Sequence, residues 1–379
     1  MTNPRPNPYP GPRPFRRGET LYGRQRETAE LLDLLIAERI ALLSSPSGAG
    51  KTSLVQAALV PALEAEGFRV LPVMRPGLLP EDAPPGGLQH NRYVLSLLLG
   101  LERAWPDEQQ TPLSKLAGMT LAEYLQARWP IPAGNGWHGD VLLFDQFEEA
   151  LNVDPTDRAA KHAFFEQVGQ ALRDRNRWAL FSMREEYVAS LDPYLQPIPT
   201  RFDRGRRYRL DLLGQNAAKA AMQGPAADQT PNVIFMDDAV NRLVDDLRRT
   251  QVQAPDGTMT PTEGQHIEPV QLQVVCRRLW DGLAPDDLTI DLDDVAAVGD
   301  VDTALRGFYA DTVKAVAASS GVRERAIREW CNSQLITEGG IRGQVLLAAQ
   351  ASQGLANAAI WPLVDSHLVR ADQRRGATW

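Results

Sequence analysis

The sequence predicts an α/β fold, a mostly parallel sheet covered by helices on both faces, followed by two smaller and largely helical units. Three observations carry that prediction. Short continuous apolar runs, the mark of strands buried on both faces, alternate with helical patterns over the first 213 residues. A glycine-rich turn joins the first of these runs directly to a helix. After Leu213 the runs stop and helical periodicity takes over.

The elements follow in order. From Pro4 to Pro14 nearly every second residue is proline, which removes backbone donors and excludes a helix. Tyr9 and Phe15 mark residues 1–20 as a Pro-rich segment packed on the core. A helix is expected over residues 27–37, with Leu31, Leu32, Leu34 and Leu35 as its apolar face. Residues 39–45 read as the first buried strand and 52–66 as the helix after the glycine-rich turn. Further strands are expected at 69–74, 140–145, 178–183 and 208–213, with helices at 93–105, 121–129 and 158–173 between them. Together they make residues 21–213 one parallel-sheet domain. Residues 214–298 read as a small all-helical domain, with helices at 215–223, 237–250 and 270–281 and a Pro/Gly-rich loop at 253–264. Helices at 302–318, 323–335 and 355–366, the last broken near Pro362, precede an incipient hairpin. That order suggests a winged-helix-like domain over residues 299–379, its wing incomplete at Trp379.

Composition limits what such a chain does. It has 379 residues, 43% hydrophobic and 23% charged, enough for two or three packed domains. A formal charge of -8 argues against a general nucleic-acid coat, which needs a basic surface. Cys276 and Cys331 sit in apolar helical patterns as buried thiols, without metal or redox spacing. The five histidines show no paired ligand spacing, so no structural metal is expected. The most apolar stretch, residues 31–43, is broken by Asp33, Glu38 and Arg39, which excludes a membrane span there. With no charged-then-apolar signal segment, the chain reads as cytoplasmic.

The glycine-rich turn, Ser45-Pro-Ser-Gly-Ala-Gly-Lys51-Thr52, matches a phosphate-binding P-loop in all but its first position, where Ser45 replaces glycine. Backbone amides freed by Gly48 and Gly50, together with the helix N-terminus, would wrap phosphate oxygens. Ser47, Gly48, Ala49, Gly50, Lys51, Thr52 and Ser53 are therefore the candidate nucleotide-binding residues. Lys51 would reach the β- and γ-phosphates of ATP, and the Thr52 hydroxyl would coordinate Mg2+. Asp145 closes an apolar strand, where its carboxylate can hold the same metal. Glu148 and Glu149 lie just beyond, either placed to polarise the attacking water. An acidic helix N-terminus accounts equally well for Glu149. Arg184 ends the next strand, on the edge where such sheets bind ligands, as a γ-phosphate sensor or as a salt-bridge partner of Glu185 or Glu186. Five arginines crowd residues 201–209. Arg201, Arg204, Arg206 and Arg207 read as a solvated turn, as candidate arginine fingers acting in trans, or as a nucleic-acid phosphate contact.

Taken together, these residues resemble the STAND class of P-loop ATPases, relatives of AAA+ proteins, and in particular the bacterial novel STAND NTPase 1 type. The likeness rests on Pro8 to Phe15, Tyr22 to Glu27, the P-loop, Phe144 to Glu149, Ser182 to Arg184, and Glu268 to Trp280, and so covers nearly the whole chain. The resemblance implies that Gly23 and Arg24 cradle adenine. It makes the all-helical domain a lid whose Pro269 packs on the base. It also implies a cytoplasmic ATP/ADP switch, slow to hydrolyse, that self-associates with nucleotide state and works with a fused or separate effector or sensor domain in bacterial signalling or defence. In such proteins the winged helix usually ends on a histidine that touches bound ADP, and this chain stops at Trp379 before one. Three rivals remain: a DNA-associated AAA+-like ATPase using the winged helix and the Arg201–Arg209 patch, a small-molecule kinase sharing only the P-loop, and a scaffold that binds ATP without hydrolysing it.

Overall fold

The computed structural model describes residues 5–77, 90–130, 132, 136–152, 156–253, 259–336, 345–369, 371, 373–374 and 377–378. Five parallel strands form the central sheet: β1 (Ile40–Ser45), β2 (Phe68–Val70), β3 (Gly139–Phe144), β4 (Arg177–Arg184) and β5 (Arg207–Arg209), in the order β2-β3-β4-β1-β5. Every residue of β1 and β3 is buried, as expected of strands covered on both sides. Their side chains alternate between two cores. Ile40, Leu42, Leu142, Phe144, Ala179 and Phe181 face the helices Arg92–Glu102, Leu121–Arg128 and Arg158–Leu172. Ala41, Leu43, Val141, Leu143 and Leu180 face the helix Gln25–Glu38 and the helix after the P-loop.

Local chemistry sets the ends of these helices. Asn91 caps Arg92–Glu102 by accepting from Tyr93 N at 3.1 Å and Val94 N at 3.3 Å. Thr120 and Glu123 form a capping box on Leu121–Arg128. At the end of the sheet remote from the P-loop, Arg39 donates to the carbonyls of Leu172, Asp174 and Arg177 at 2.8–3.0 Å, satisfying groups left by the helix end and the turn before β4.

Several elements depart from expectation. The strand at 69–74 is cut to Phe68–Val70, with one further bridge from Met74 to Phe144, because Pro72 has no N–H to continue the ladder. The fifth strand pairs only over Arg207–Arg209, and Leu213 instead bridges Ile267. The helix expected at 52–66 runs over residues 51–65, but its middle, Leu54–Leu59, is wound as a π-helix. Within the loop expected at 253–264, Met259–Glu263 is a strand pairing antiparallel with Arg249–Gln253, residues 254–258 lie outside the described residues, and the helix before it stops at Leu247. No break occurs at Pro362, which lies inside the helix Asn357–Asp365.

Beyond the sheet, two more apolar clusters form. One joins the helices Gln215–Ala227, Asp237–Leu247, Pro269–Gly282 and Leu292–Val298. The other joins Val301–Ser320, Glu324–Gln334 and Asn357–Asp365. The long helix Val301–Ser320 serves both, placing Ala304 in the first and Val313 and Val316 in the second. The final short strands, Gln373–Arg374 and Ala377–Thr378, pair antiparallel.

The N-terminal segment lies across the helical cluster and reaches the sheet domain. Arg5 donates to Pro285 O and Asp287 O and stacks its guanidinium over Trp280. Tyr9 is fully buried in the helical cluster, its hydroxyl donating to Met222 O. Phe15 N donates to Ser53 Oγ at 3.1 Å, on the helix that follows the P-loop. Cys276 and Cys331 are free and buried. Among the described residues, no helix is long and apolar enough to cross a membrane.

Candidate nucleotide site

The site lies where β1, β3 and β4 end. β1 delivers the P-loop, in which Gly50 takes φ +92°, a left-handed turn that only glycine adopts freely, immediately before Lys51. Ser47 and Gly48 are exposed on the loop, whereas Ala49 is buried. Ser45, the position that departs from the motif, is buried and accepts from Lys51 Nζ at 2.6 Å while donating to Pro46 O at 2.7 Å. The serine thus holds the lysine that would reach phosphate. Burial lowers the Lys51 ammonium below its ordinary value, against the pull of Glu148 and Asp145.

β3 delivers the acidic element. Asp145 is buried and shared among three donors: Oδ2 accepts from Thr52 Oγ1 at 3.1 Å and from Arg75 Nη2 at 3.2 Å, and Oδ1 accepts from Ser182 Oγ at 3.2 Å. After it the chain turns sharply through Gln146, a non-glycine residue at φ +51°. Phe147 pins that turn. Its N–H donates to Ser182 O at 2.9 Å, and its ring sits edge-on to Phe144 and Phe181, which stack on each other at 4.7 Å. Glu148 and Glu149 follow at the start of the short helix Glu149–Asn152.

The two glutamates have different surroundings. Glu148 is buried, pairs with Arg184 Nε at 3.4 Å, and accepts from the Arg184 backbone N at 3.3 Å. Burial raises its carboxyl, opposed by backbone hydrogen bonds and by the charges of Lys51 and Arg184. Arg184 therefore pairs with Glu148, while Glu185 pairs with Arg209 at 2.7 Å. Glu149 Oε2 is buried with no side-chain partner among the described residues. Burial pushes Glu149 up to about 7, helped by Glu148 and Asp145 and opposed by the nearby charge of Arg75 and a backbone hydrogen bond from Gly77.

Sequence reasoning missed Arg75. It follows the interrupted β2 and reaches the same edge as Arg184, but Pro72 obscures the end of its strand. Ser182 also lacked an assigned role, although a lone hydroxyl near the end of an apolar strand was the available signal.

The remaining candidates lie around this centre. Gly23, at φ +77°, packs so closely on the helix Gln215–Ala227 that a Cβ would come within 2.2 Å of Ala217 O. Arg24 is buried and clamps backbone: it donates to Ala49 O at 3.1 Å and Asp211 O at 2.7 Å and pairs with Glu27 at 2.9 Å. Ser53 receives the N-terminal segment. Pro269 is half-buried at the first position of its helix, where its missing N–H costs nothing. In the arginine patch, Arg206 pairs with Glu38 at 2.8 Å and Asp203 at 3.4 Å, whereas Arg201 and Arg207 are exposed. The Arg204 side chain lies outside the described residues.

A family model described as Novel STAND NTPase 1 matches residues 8–375. No curated protein matches the chain. Among solved structures, the Walker-type ATPase of Pyrococcus abyssi is similar over 97% of this chain and 95% of its own, at 12% identity and a TM-score of 0.47. The Aeropyrum pernix ORC1 protein, solved in complex with DNA, is similar over 95% of this chain and 88% of its own, at 13% identity and a TM-score of 0.48.

Proposed function

The chain belongs to the novel STAND NTPase 1 family of nucleoside-triphosphate-hydrolysing enzymes, and from that premise we propose that it is a slow ATPase working as an ATP/ADP switch. The observation that carries the reading is the convergence of Lys51, Thr52 and Asp145, with Glu148 and Arg184 beside them, on one edge of the sheet. ATP would lie with its phosphates on the P-loop amides, and Lys51 would exchange Ser45 Oγ for a phosphate oxygen. The Thr52 hydroxyl and the Asp145 carboxylate are hard oxygen donors that converge within 3.1 Å, a set that suits magnesium shared with substrate phosphates. Magnesium bound there supplies positive charge to the β- and γ-phosphate oxygens.

Glu148 is the better candidate for orienting the attacking water, since Lys51 and Arg184 favour its ionised form at the phosphate end of the site. Water attack on the γ-phosphorus would then yield ADP and phosphate. Arg184, held by Glu148, would stand beside the transferred group. The Gly23 turn and Pro269 would flank adenine, with Arg24 fixing the P-loop backbone beneath it.

In this reading, residues 1–20 are a strap, 21–213 the ATPase domain, 214–298 a lid and 299–379 a winged-helix-like unit. Nucleotide exchange would shift the balance between closed and self-associating arrangements. A nearly complete shift needs about 5.5 kcal/mol of differential affinity. Arg201 and Arg207, exposed in the arginine patch, are the described side chains best placed to reach a neighbouring copy's nucleotide.

Mass spectrometry of nucleotide released from the purified chain should find ADP, and turnover should be slow. Lys51→Ala should abolish nucleotide binding in a titration. Wild-type affinity in that variant would overturn the assignment of the P-loop. Glu148→Gln should preserve binding and trap an ATP-bound assembly, whereas unchanged hydrolysis would remove Glu148 from the chemistry.

A further inference from the structure

One cation at the site has no part in the mechanism above. Arg75 approaches Asp145 Oδ2 at 3.2 Å, and Thr52 Oγ1 approaches the same oxygen at 3.1 Å. A divalent ion held between Thr52 and Asp145 needs that oxygen too. Two cations cannot share it closely, because like charges repel strongly where water is scarce. Asp145 is only 5% exposed, whereas Arg75 is 31% exposed and has room to leave.

A second carboxylate stands within its electrostatic reach. Glu149 lies one turn beyond the Asp145 loop; its carboxyl is met by the Gly77 backbone, and its buried Oε2 has no side-chain partner among the described residues. Gly77, two residues after Arg75, lies against that carboxylate so closely that a Cβ there would come within 2.5 Å of Oε2. The segment carrying Arg75 thus runs from one carboxylate to the other. The Arg75 charge also lowers the Glu149 carboxyl against the effect of burial.

We propose that Arg75 is a positioning residue that competes with the divalent cation for Asp145 and moves to Glu149 when the cation is held. The carboxylates Asp145, Glu148 and Glu149, with Glu186 also acting on Lys51, surround the basic groups Lys51, Arg75 and Arg184 at this centre. Moving between two of those carboxylates keeps Arg75 itself paired whether or not the metal is held. Arg75 thereby sets how much metal is needed to load the site, and it carries the loaded state to the helix Glu149–Asn152. The inference rests on the reading that Thr52 and Asp145 hold a divalent cation with nucleotide.

The test titrates Mn2+, read by its electron paramagnetic resonance signal, into the full chain with ADP present. Arg75→Gln should lower the half-saturating Mn2+ concentration about five- to tenfold. Its ADP affinity in EDTA should stay unchanged, and Arg75→Lys should restore the wild-type metal requirement. Arg75→Met keeps the aliphatic stem and repeats the measurement if Arg75→Gln does not fold. An unchanged or raised Mn2+ requirement overturns the proposal. So does loss of ADP affinity in EDTA, which would place the guanidinium on phosphate rather than on Asp145. If the wild-type chain itself fails to bind Mn2+ with ADP, it is the assignment of the metal site that falls.

Discussion

Replacing Glu149 by glutamine should stabilise the protein, and only above a particular pH. Its carboxyl rises from 4.5 to about 7, chiefly through burial. At roughly pH 4 the group is protonated in folded and unfolded chains alike and contributes nothing to the difference. Between 4.5 and about 7 the unfolded chain releases its proton while the folded chain keeps it, so stability falls as pH rises. Above about 7 the whole cost is present. At 1.36 kcal/mol per unit, that cost reaches about 3 kcal/mol as an upper limit. Glu149→Gln removes the titration while keeping size, so its unfolding free energy at pH 8 should exceed wild type by roughly 2–3 kcal/mol. That corresponds to a melting rise of several degrees. Near pH 4 the two proteins should melt together. Urea and thermal unfolding at pH values from 4 to 8 measure the difference. A gain that is independent of pH, or that grows as pH falls, would refute the assignment of a strained carboxylate at this position.

Phe147→Ala should destabilise the fold by about 3–5 kcal/mol, since it removes a buried ring. It should also weaken hydrolysis more than nucleotide binding, because the ring holds the turn that carries Glu148; chemical denaturation and turnover assays read the two effects. Gly23→Ala forces a Cβ against Ala217 O and into a left-handed backbone, so the helix Gln215–Ala227 must shift. Its melting temperature should fall and nucleotide affinity with it, and an unperturbed variant would contradict the packing. Cys276 is buried and its thiol raised by desolvation, so alkylation in native buffer should proceed no faster than unfolding.

The inner strands were legible because β1, β3 and most of β4 are continuous apolar runs with few polar interruptions. β5 was harder to delimit: Arg207, Tyr208 and Arg209 form an edge strand whose alternation looks like a charged turn. The strand pair 249–253 and 259–263 was hidden by the Pro and Gly in the surrounding sequence, residues that usually signal irregular loop. Pro362 misled in the other direction. Burial of Ala359, Ile360 and Leu363 outweighs the one hydrogen bond the proline removes. Within the site, Lys51, Thr52 and Asp145 could be found by spacing alone, since the motif ties each residue to an element end. The pairing of Arg184 with Glu148, and of Arg75 with Asp145, joins different strands, and only the order of the sheet brings those ends together.

The proline-rich N-terminal segment has a mechanical consequence. Tyr9 is fixed among the helices beyond the sheet, and Phe15 is tied to the helix that follows the P-loop. The six steps between them contain Pro10, Pro12 and Pro14 and turn at Gly11, φ +74°, so the link spans at most about 20 Å once that turn is drawn straight. A swing of the helical region that carries the two anchors beyond that reach must extract a buried tyrosine or release Ser53. The strap thus sets a travel limit on opening, and its pull would be delivered one residue from Thr52.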